Sequence, residues 1–168
     1  MDELDRLSAD EMKLAGKHAI IVILDDVRSM HNVGSTFRTC DAFATEAIYL
    51  CGYTPTPPHR DIHKTALGAT ETVSWKHFLS TMEAVESARE AGYKIYAIEQ
   101  AHNSISLAQL NWQKEKIALV FGNEVSGVND EVLEKADGCI EIPQYGSKHS
   151  LNISVSVGVV LWEMVRGK

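Results

Sequence analysis

Residues able to do chemistry are concentrated in two polar loops of the last third of the chain. Gly122-Asn123-Glu124-Val125-Ser126-Gly127 follows the apolar run Ile117–Phe121, and a second loop from Pro143 to Asn152, reading PQYGSKHSLN, follows Cys139–Ile142. Glu124, Ser150 and Asn152 supply directed hydrogen bonds, and the glycines let backbone approach a ligand closely. Short apolar runs ending in such loops have the form of parallel strands, whose carboxyl ends are where open α/β sheets bind ligands. The two loops are therefore expected side by side, walling one site. Upstream, Asn32, Gly34 and Arg38 follow another apolar run at helical spacing. Asn32 is expected to N-cap that helix, with Arg38 beside a backbone able to host an anion.

Several chemistries are excluded. The first strand is not followed by the G-x-G-x-x-G turn of a dinucleotide site, and Gly127 is followed by Val128 where a P-loop needs Lys. Ser150 and Cys40 lack a nucleophile elbow. His59 and His63 are four residues apart, but no third ligand of suitable type is near them in sequence, so no metal site is expected. Cys40, Cys51 and Cys139 are widely spaced and read as buried thiols, not as a disulfide framework or zinc knuckle.

The elements that must position these residues alternate. His18–Asp26 is a wholly apolar run with a polar end, the form of a central strand covered on both faces. Arg28–Val33 reads as a loop, Glu46–Cys51 as a strand, and Gly52–Arg60, rich in proline, as a loop. A helical turn over Asp61–Leu67 and a strand over Glu71–Trp75 follow. Ser80–Gly92 opens with a capping box and closes on glycine, predicting a helix. Tyr93–Ile98 reads as a strand, Ile105–Leu110 as a helical turn, Asp130–Ala136 as a helix, and Asn152–Gly167 as a closing helix with Ile153, Val157, Val160, Leu161 and Met164 apolar. The class is α/β with a mostly parallel sheet flanked by helices. One domain over residues 1–168 is expected, with residues 1–17 a short helical extension opened by the Ser8–Glu11 capping box.

Three motifs in order carry a resemblance. Asn32 to Phe43 has the pattern N-x-G-x-x-x-R-x-x-x-A-F; Gly122 to Gly127 reads G-N-E-x-x-G; and Ile142 to Ser156 reads I-P-x-x-G-x-x-x-S-L-N-x-S-V-S. Together they resemble the SpoU (TrmH) family of RNA ribose methyltransferases in the SPOUT superfamily, over nearly the whole chain from Ile20 to Arg166. The resemblance implies a C-terminal trefoil knot, S-adenosyl-L-methionine as cofactor, and transfer of its methyl group to a ribose 2′-hydroxyl. It gives Asn32, Arg38, Glu124, Ser150 and Asn152 catalytic roles, and maps cofactor contacts onto Ile98, Gly122, Ile142 and Leu151. It also implies a homodimer, in which the arginine of one chain meets RNA beside cofactor held by the other. Ala44 departs from the family pattern, which commonly has glycine after A-F, and Gln144 stands where methionine is frequent. The motif wording leans toward tRNA and a D-loop guanosine. An rRNA methyltransferase and a non-catalytic RNA-binding or ribosome-associated protein remain the alternatives.

Composition bears on the partner. With 45% hydrophobic and 23% charged residues the chain is ordinary for a soluble protein, and its net charge of −7 argues against a bulk electrostatic grip on nucleic acid. A local basic rim is still available from Arg28, Arg60, His63, Lys64 and Lys148, all in or near expected ligand-side loops. No apolar run is long enough to span a membrane, and the acidic start MDELDRLSADE is unlike a secretory signal, so a cytoplasmic protein is expected.

Overall fold

The computed structural model describes residues 16–112, 115–147 and 150–166. The N-terminal helix expected upstream of Gly16 and the candidate RNA contact Lys148 lie outside them. β1 (His18–Asp25) is the spine of the fold. Ile20, Ile21, Val22, Ile23 and Leu24 are all buried, because successive side chains point to opposite faces and both faces are covered. Each such side chain contributes about 1.5–3 kcal/mol of burial.

The chain continues through α1 (Met30–Ala42), β2 (Thr45–Cys51), α2 (Arg60–Ala66), α3 (Ala69–Thr72) and β3 (Ser74–Phe78). Then come α4 (Thr81–Glu90), β4 (Lys94–Ile98) and β5 (Ile105–Ser106). The last part holds β6 (Ile117–Phe121), α5 (Asp130–Lys135), β7 (Gly138–Glu141) and α6 (Ile153–Val165). The strands form one seven-stranded sheet in the order β3-β2-β1-β6-β4-β7-β5, and every pairing is parallel. No described helix is long and apolar enough to cross a membrane.

Two cores sandwich the sheet. On one face Ile20, Val22 and Leu24 meet Phe37 of α1, Ile62 of α2 and Val157, Val160 and Leu161 of α6. On the other, Ile21 and Ile23 meet Ala84, Val85 and Ala88 of α4 and Val132 of α5. α4 forms where its capping box predicts. Ser80 Oγ accepts from the Glu83 amide, which satisfies one otherwise free donor of the first turn, while Glu83 reaches back to the Leu79 amide just before the cap.

Several expectations are corrected. Arg28–Val33 is not all loop, since α1 already begins at Met30; its N-cap is Ser29, whose Oγ accepts from the Asn32 amide. Glu71–Trp75 is not one strand: its first half closes α3 and its second opens β3. Ile105–Leu110 divides into β5 and a 3₁₀ turn over Leu107–Gln109, because its first residues find a free edge on β7. The last strand runs from Gly138 to Glu141, one residue earlier than Cys139–Ile142.

Candidate active site

The site lies at the carboxyl ends of β6, β4 and β7. The two motif loops are not direct neighbours, since β4 runs between their strands, and the turn after Ile98 forms the middle of the wall. A cavity of about 270 Å³ opens there, lined by Ile98, Gly122, Ile142 and Leu151 together with Glu124 and Ser150. All four residues expected at a cofactor are thus brought together. A shallower recess bordered by His102, Pro143 and Tyr145 adjoins it through Gln100, Ile142 and Gln144.

The loop Gly122–Gly127 has little freedom. Asn123 Oδ1 accepts from the amides of Val125 and Ser126, both at 2.9 Å, and its Nδ2 donates to Ser126 Oγ at 2.7 Å. This is an Asx-type turn, in which the side chain replaces a backbone acceptor. A Cβ at Gly122 would overlap the backbone of Gly127 and Val128, so the loop folds back over a residue that must be glycine. Gly127 has φ +69°, and a Cβ there would strike the Glu99 carboxylate.

Distant parts of the chain meet at the rim. Asn32 Nδ2 donates to Glu124 Oε1 at 2.7 Å, and Asn152 Nδ2 donates to Asn32 Oδ1 at 3.1 Å. Asn152 also N-caps α6, its Oδ1 accepting from the Ser154 amide at 2.9 Å and from Ser154 Oγ at 2.7 Å. Asn32 therefore does not cap its own helix. It cross-links the first motif to the other two, with both ends of its amide engaged. The tie holds a carboxylate on the lip of the cavity and starts α6 beside it.

Arg38 stands apart. It is exposed on α1, and among the described residues nothing pairs with its guanidinium, whereas Asp41 instead accepts from Thr72 Oγ1 at 2.5 Å. It lies well beyond the first turn of α1, so the backbone amides expected beside it are already in the helix ladder. Gly34 serves packing: a Cβ there would collide with Thr65 Oγ1 and the Ile62 carbonyl of α2.

None of the candidate rim residues Arg28, Arg60, His63 and Lys64 lines the cavity. Arg28 lies over the exposed ring of Tyr53, 5.5 Å from its centroid. Arg60, His63 and Lys64 are exposed on α2, where Lys64 pairs with Asp61 at 2.7 Å and holds that carboxyl below its usual range. His59 N-caps α2 through Nδ1, which accepts from the Asp61 amide at 3.2 Å, so that nitrogen is already engaged. Among the described residues no group of three acids, cysteines and histidines is gathered about a metal position. Sequence reasoning passed over Glu99 and Asn123. An Asn at the start of a glycine-bounded loop is a turn signal that could have found the second, while the first had only its place after a strand.

The cavity suits an adenosyl ligand, with Ile98, Ile142 and Leu151 as apolar walls and loop backbone between them. Comparison with known proteins agrees. The SpoU rRNA Methylase family profile matches residues 19–162. The chain is 32% identical to the tRNA (guanosine(18)-2′-O)-methyltransferase of Aquifex aeolicus over 88% of its own length and 69% of that protein's. An AdoMet-bound rRNA methyltransferase from Sinorhizobium meliloti superposes with a TM-score of 0.83 at 27% identity; the match covers 92% of this chain and 59% of that one. A structure solved for the 2-OH methylation of C/U34 on tRNA matches at TM-score 0.79 and 26% identity, covering 90% of this chain and 97% of that one. The seven-stranded parallel sheet, with its motif loops at one cavity, has the α/β fold of these RNA methyltransferase structures. The chain belongs to the SpoU family.

Proposed function

We propose that this protein transfers a methyl group from S-adenosyl-L-methionine to a ribose 2′-hydroxyl of RNA, with tRNA as the substrate. The observation that carries the reading is the Asn32–Glu124–Asn152 tie, which joins all three motifs at the edge of the cavity lined by Ile98, Gly122, Ile142 and Leu151. The bound cofactor supplies a sulfonium methyl, an electrophile whose leaving group is already cationic. What the chain must add is alignment and management of the hydroxyl proton. Ile98, Gly122, Ile142 and Leu151 would hold the cofactor, which would supply the methyl and keep the electron pair of the broken C–S bond, while the hydroxyl proton would pass to solvent.

Arg38, exposed and unpaired among the described residues, is free to take the phosphate next to the target ribose and to favour loss of that proton. Asn32 holds Glu124 and Asn152 in place, and Ser150 completes the polar wall. Arg28, Arg60, His63 and Lys64, with Lys148, form the rim that meets the phosphate backbone, which answers the net charge of −7 by local concentration.

The working unit is a homodimer in the cytoplasm. Val155, Val159 and Trp162 lie exposed along one stripe of α6, at i, i+4 and i+7, and the Trp162 ring meets that of Phe43 at a tilt of 60° with centroids 6.4 Å apart. A twofold axis over this stripe would cover it from both sides and complete each site with the other chain's Arg38. Mixing Arg38→Ala with Asn152→Ala chains is then expected to restore activity that neither parent has. The C-terminal threading that defines the family's knot is part of the same reading.

The experiment is incubation with labelled cofactor and total tRNA or rRNA, followed by nuclease digestion and mass spectrometry. A 2′-O-methylnucleoside in tRNA is expected. The position separates two precedents, guanosine 18 from the Aquifex relative and nucleotide 34 from the structure of matching length. Label in rRNA alone would reassign the substrate, and none in any RNA would leave a non-catalytic RNA-binding protein.

A further inference from the structure

We infer that Glu99 makes the cavity prefer the positively charged methyl donor over the demethylated product that has lost that charge. The inference rests on the function proposed above and concerns the same cavity. Glu99 follows directly on β4, the strand between the two motif strands, so its side chain enters the middle of the wall.

The carboxylate is held but not neutralised. Its Oε1 accepts from the Gln100 amide at 2.9 Å and its Oε2 from the Val128 amide at 3.3 Å. Gly127, whose missing side chain makes room for Oε2, closes over it. These donors are uncharged, and among the described residues no Lys, Arg or His pairs with Glu99. The second acid of the lining, Glu124, is likewise tied to a neutral amide, that of Asn32. Among the described residues the lining includes no cationic side chain at all. The negative field also reaches β7: burial raises the Cys139 thiol above its usual value, and the charge of Glu99 adds to the rise.

Donor and product are nearly the same shape. Both present an adenosine to Ile98, Ile142 and Leu151, and both carry an ammonium and a carboxylate. They differ by one methyl and by the sulfonium charge that goes with it. Apolar walls bind the shared part equally and cannot tell the two apart. An uncompensated carboxylate can, because its attraction falls when the charge is lost. In a cavity partly open to water the difference amounts to roughly three- to tenfold in affinity. The effect favours loading of the donor and release of the product, a step that often limits turnover.

The test is calorimetric titration of the whole chain and of Glu99→Gln with three probes: S-adenosylmethionine, S-adenosylhomocysteine and sinefungin, whose amine keeps the positive charge without a sulfonium. Gln retains the shape and one acceptor for the Val128 amide. The donor and sinefungin are expected to weaken several-fold while the product changes little, so the donor-to-product ratio falls roughly three- to tenfold. Parallel weakening of all three would assign Glu99 to holding the loop alone and overturn the inference. In the unaltered chain the ratio should also shrink as salt is raised, and a salt-independent ratio overturns it even if the variant does not fold. A chain that binds none of the probes overturns the proposed function itself, and this inference with it.

Discussion

The two faces of the sheet are covered by helices that follow different rules. The face under α4 and α5 is regular: α4 is capped at Ser80 by a reciprocal box, and it presents the small residues Ala84 and Ala88 to Ile21 and Ile23. The face under α1, α2 and α6 is irregular. It buries Thr36 Oγ1 without a hydrogen-bond partner among the described residues, turns Asn32 away from capping, and leaves Val155, Val159 and Trp162 in solvent. It also leaves Arg38 exposed and, among the described residues, without a partner. Local rules are broken on the face that carries the motifs and obeyed on the face that only supports them, as expected when a site is built on a consistent scaffold.

The largest expected effect follows from the unpaired arginine. Arg38→Ala is expected to lower turnover by roughly 10²–10⁴-fold while thermal stability and cofactor affinity hold, since among the described residues no side-chain hydrogen bond or ion pair is removed. Arg38→Lys is expected to fail as well, because an ammonium lacks the planar fork that matches phosphate. A matching loss of stability in the denaturation curve would instead make Arg38 structural and erase this contrast between the faces.

The exposed stripe of α6 gives the next effect. Val159→Asp with Trp162→Asp would place charges in the proposed twofold interface, and light scattering at micromolar concentration is expected to report monomer with activity lost. Charge changes on the outer side of α4, for example Glu86→Lys with Glu90→Lys, are expected to change neither. A fully active monomer would remove the shared-site part of the proposal.

A third measurement should treat both faces alike. Cys40 on α1 and Cys51 on β2 lie one in each core, and burial pushes both thiols from 9.0 up to about 12. The folded state then keeps its protons where the unfolded chain has lost them. Stability from this source is complete below pH 9 and is lost as pH rises from 9 toward 12. Chemical denaturation across that window is expected to show the loss, with Cys40→Ala and Cys51→Ala each flattening the profile.

Legibility in the sequence followed the same division. β1 and β6 could be read almost to the residue, because a run apolar on every position admits one environment, and α4 could be read from its caps. Errors fell where tertiary contacts decide. Asn32 looked like a cap because Asn at a helix start usually is one, but α1 starts two residues earlier, at Met30 with Ser29 as its cap, which leaves the Asn32 side chain to residues 124 and 152. The apolar residues read on α6, Ile153, Val157, Val160, Leu161 and Met164, are all buried, whereas the exposure of Val155, Val159 and Trp162 depends on what the helix packs against. Glu99 could not be found at all, since its partners Gly127 and Val128 become neighbours only when β4 inserts beside β6.

The smallest effect is a gain, at Ala44, one of the two positions that depart from the family pattern. Ala44 follows the C-cap Phe43 of α1 with φ +48°. Its amide donates to the Asp41 carbonyl at 3.0 Å, and its carbonyl accepts from the His18 amide at 2.9 Å, so the left-handed conformation is held from both sides and cannot relax. An alanine there costs about 1–2 kcal/mol from Cβ crowding. Glycine removes that cost but gives the unfolded chain more freedom, worth roughly 0.5–1 kcal/mol in the opposite direction. The first effect is larger, so Ala44→Gly is expected to stabilise the chain by about 0.5–1 kcal/mol, read as a higher urea midpoint with an unchanged slope. Ala44→Val should lose stability instead, because a β-branched residue tolerates positive φ poorly. A loss with glycine would mean that the Ala44 methyl, half-buried beside α1, contributes more by packing than its backbone conformation costs.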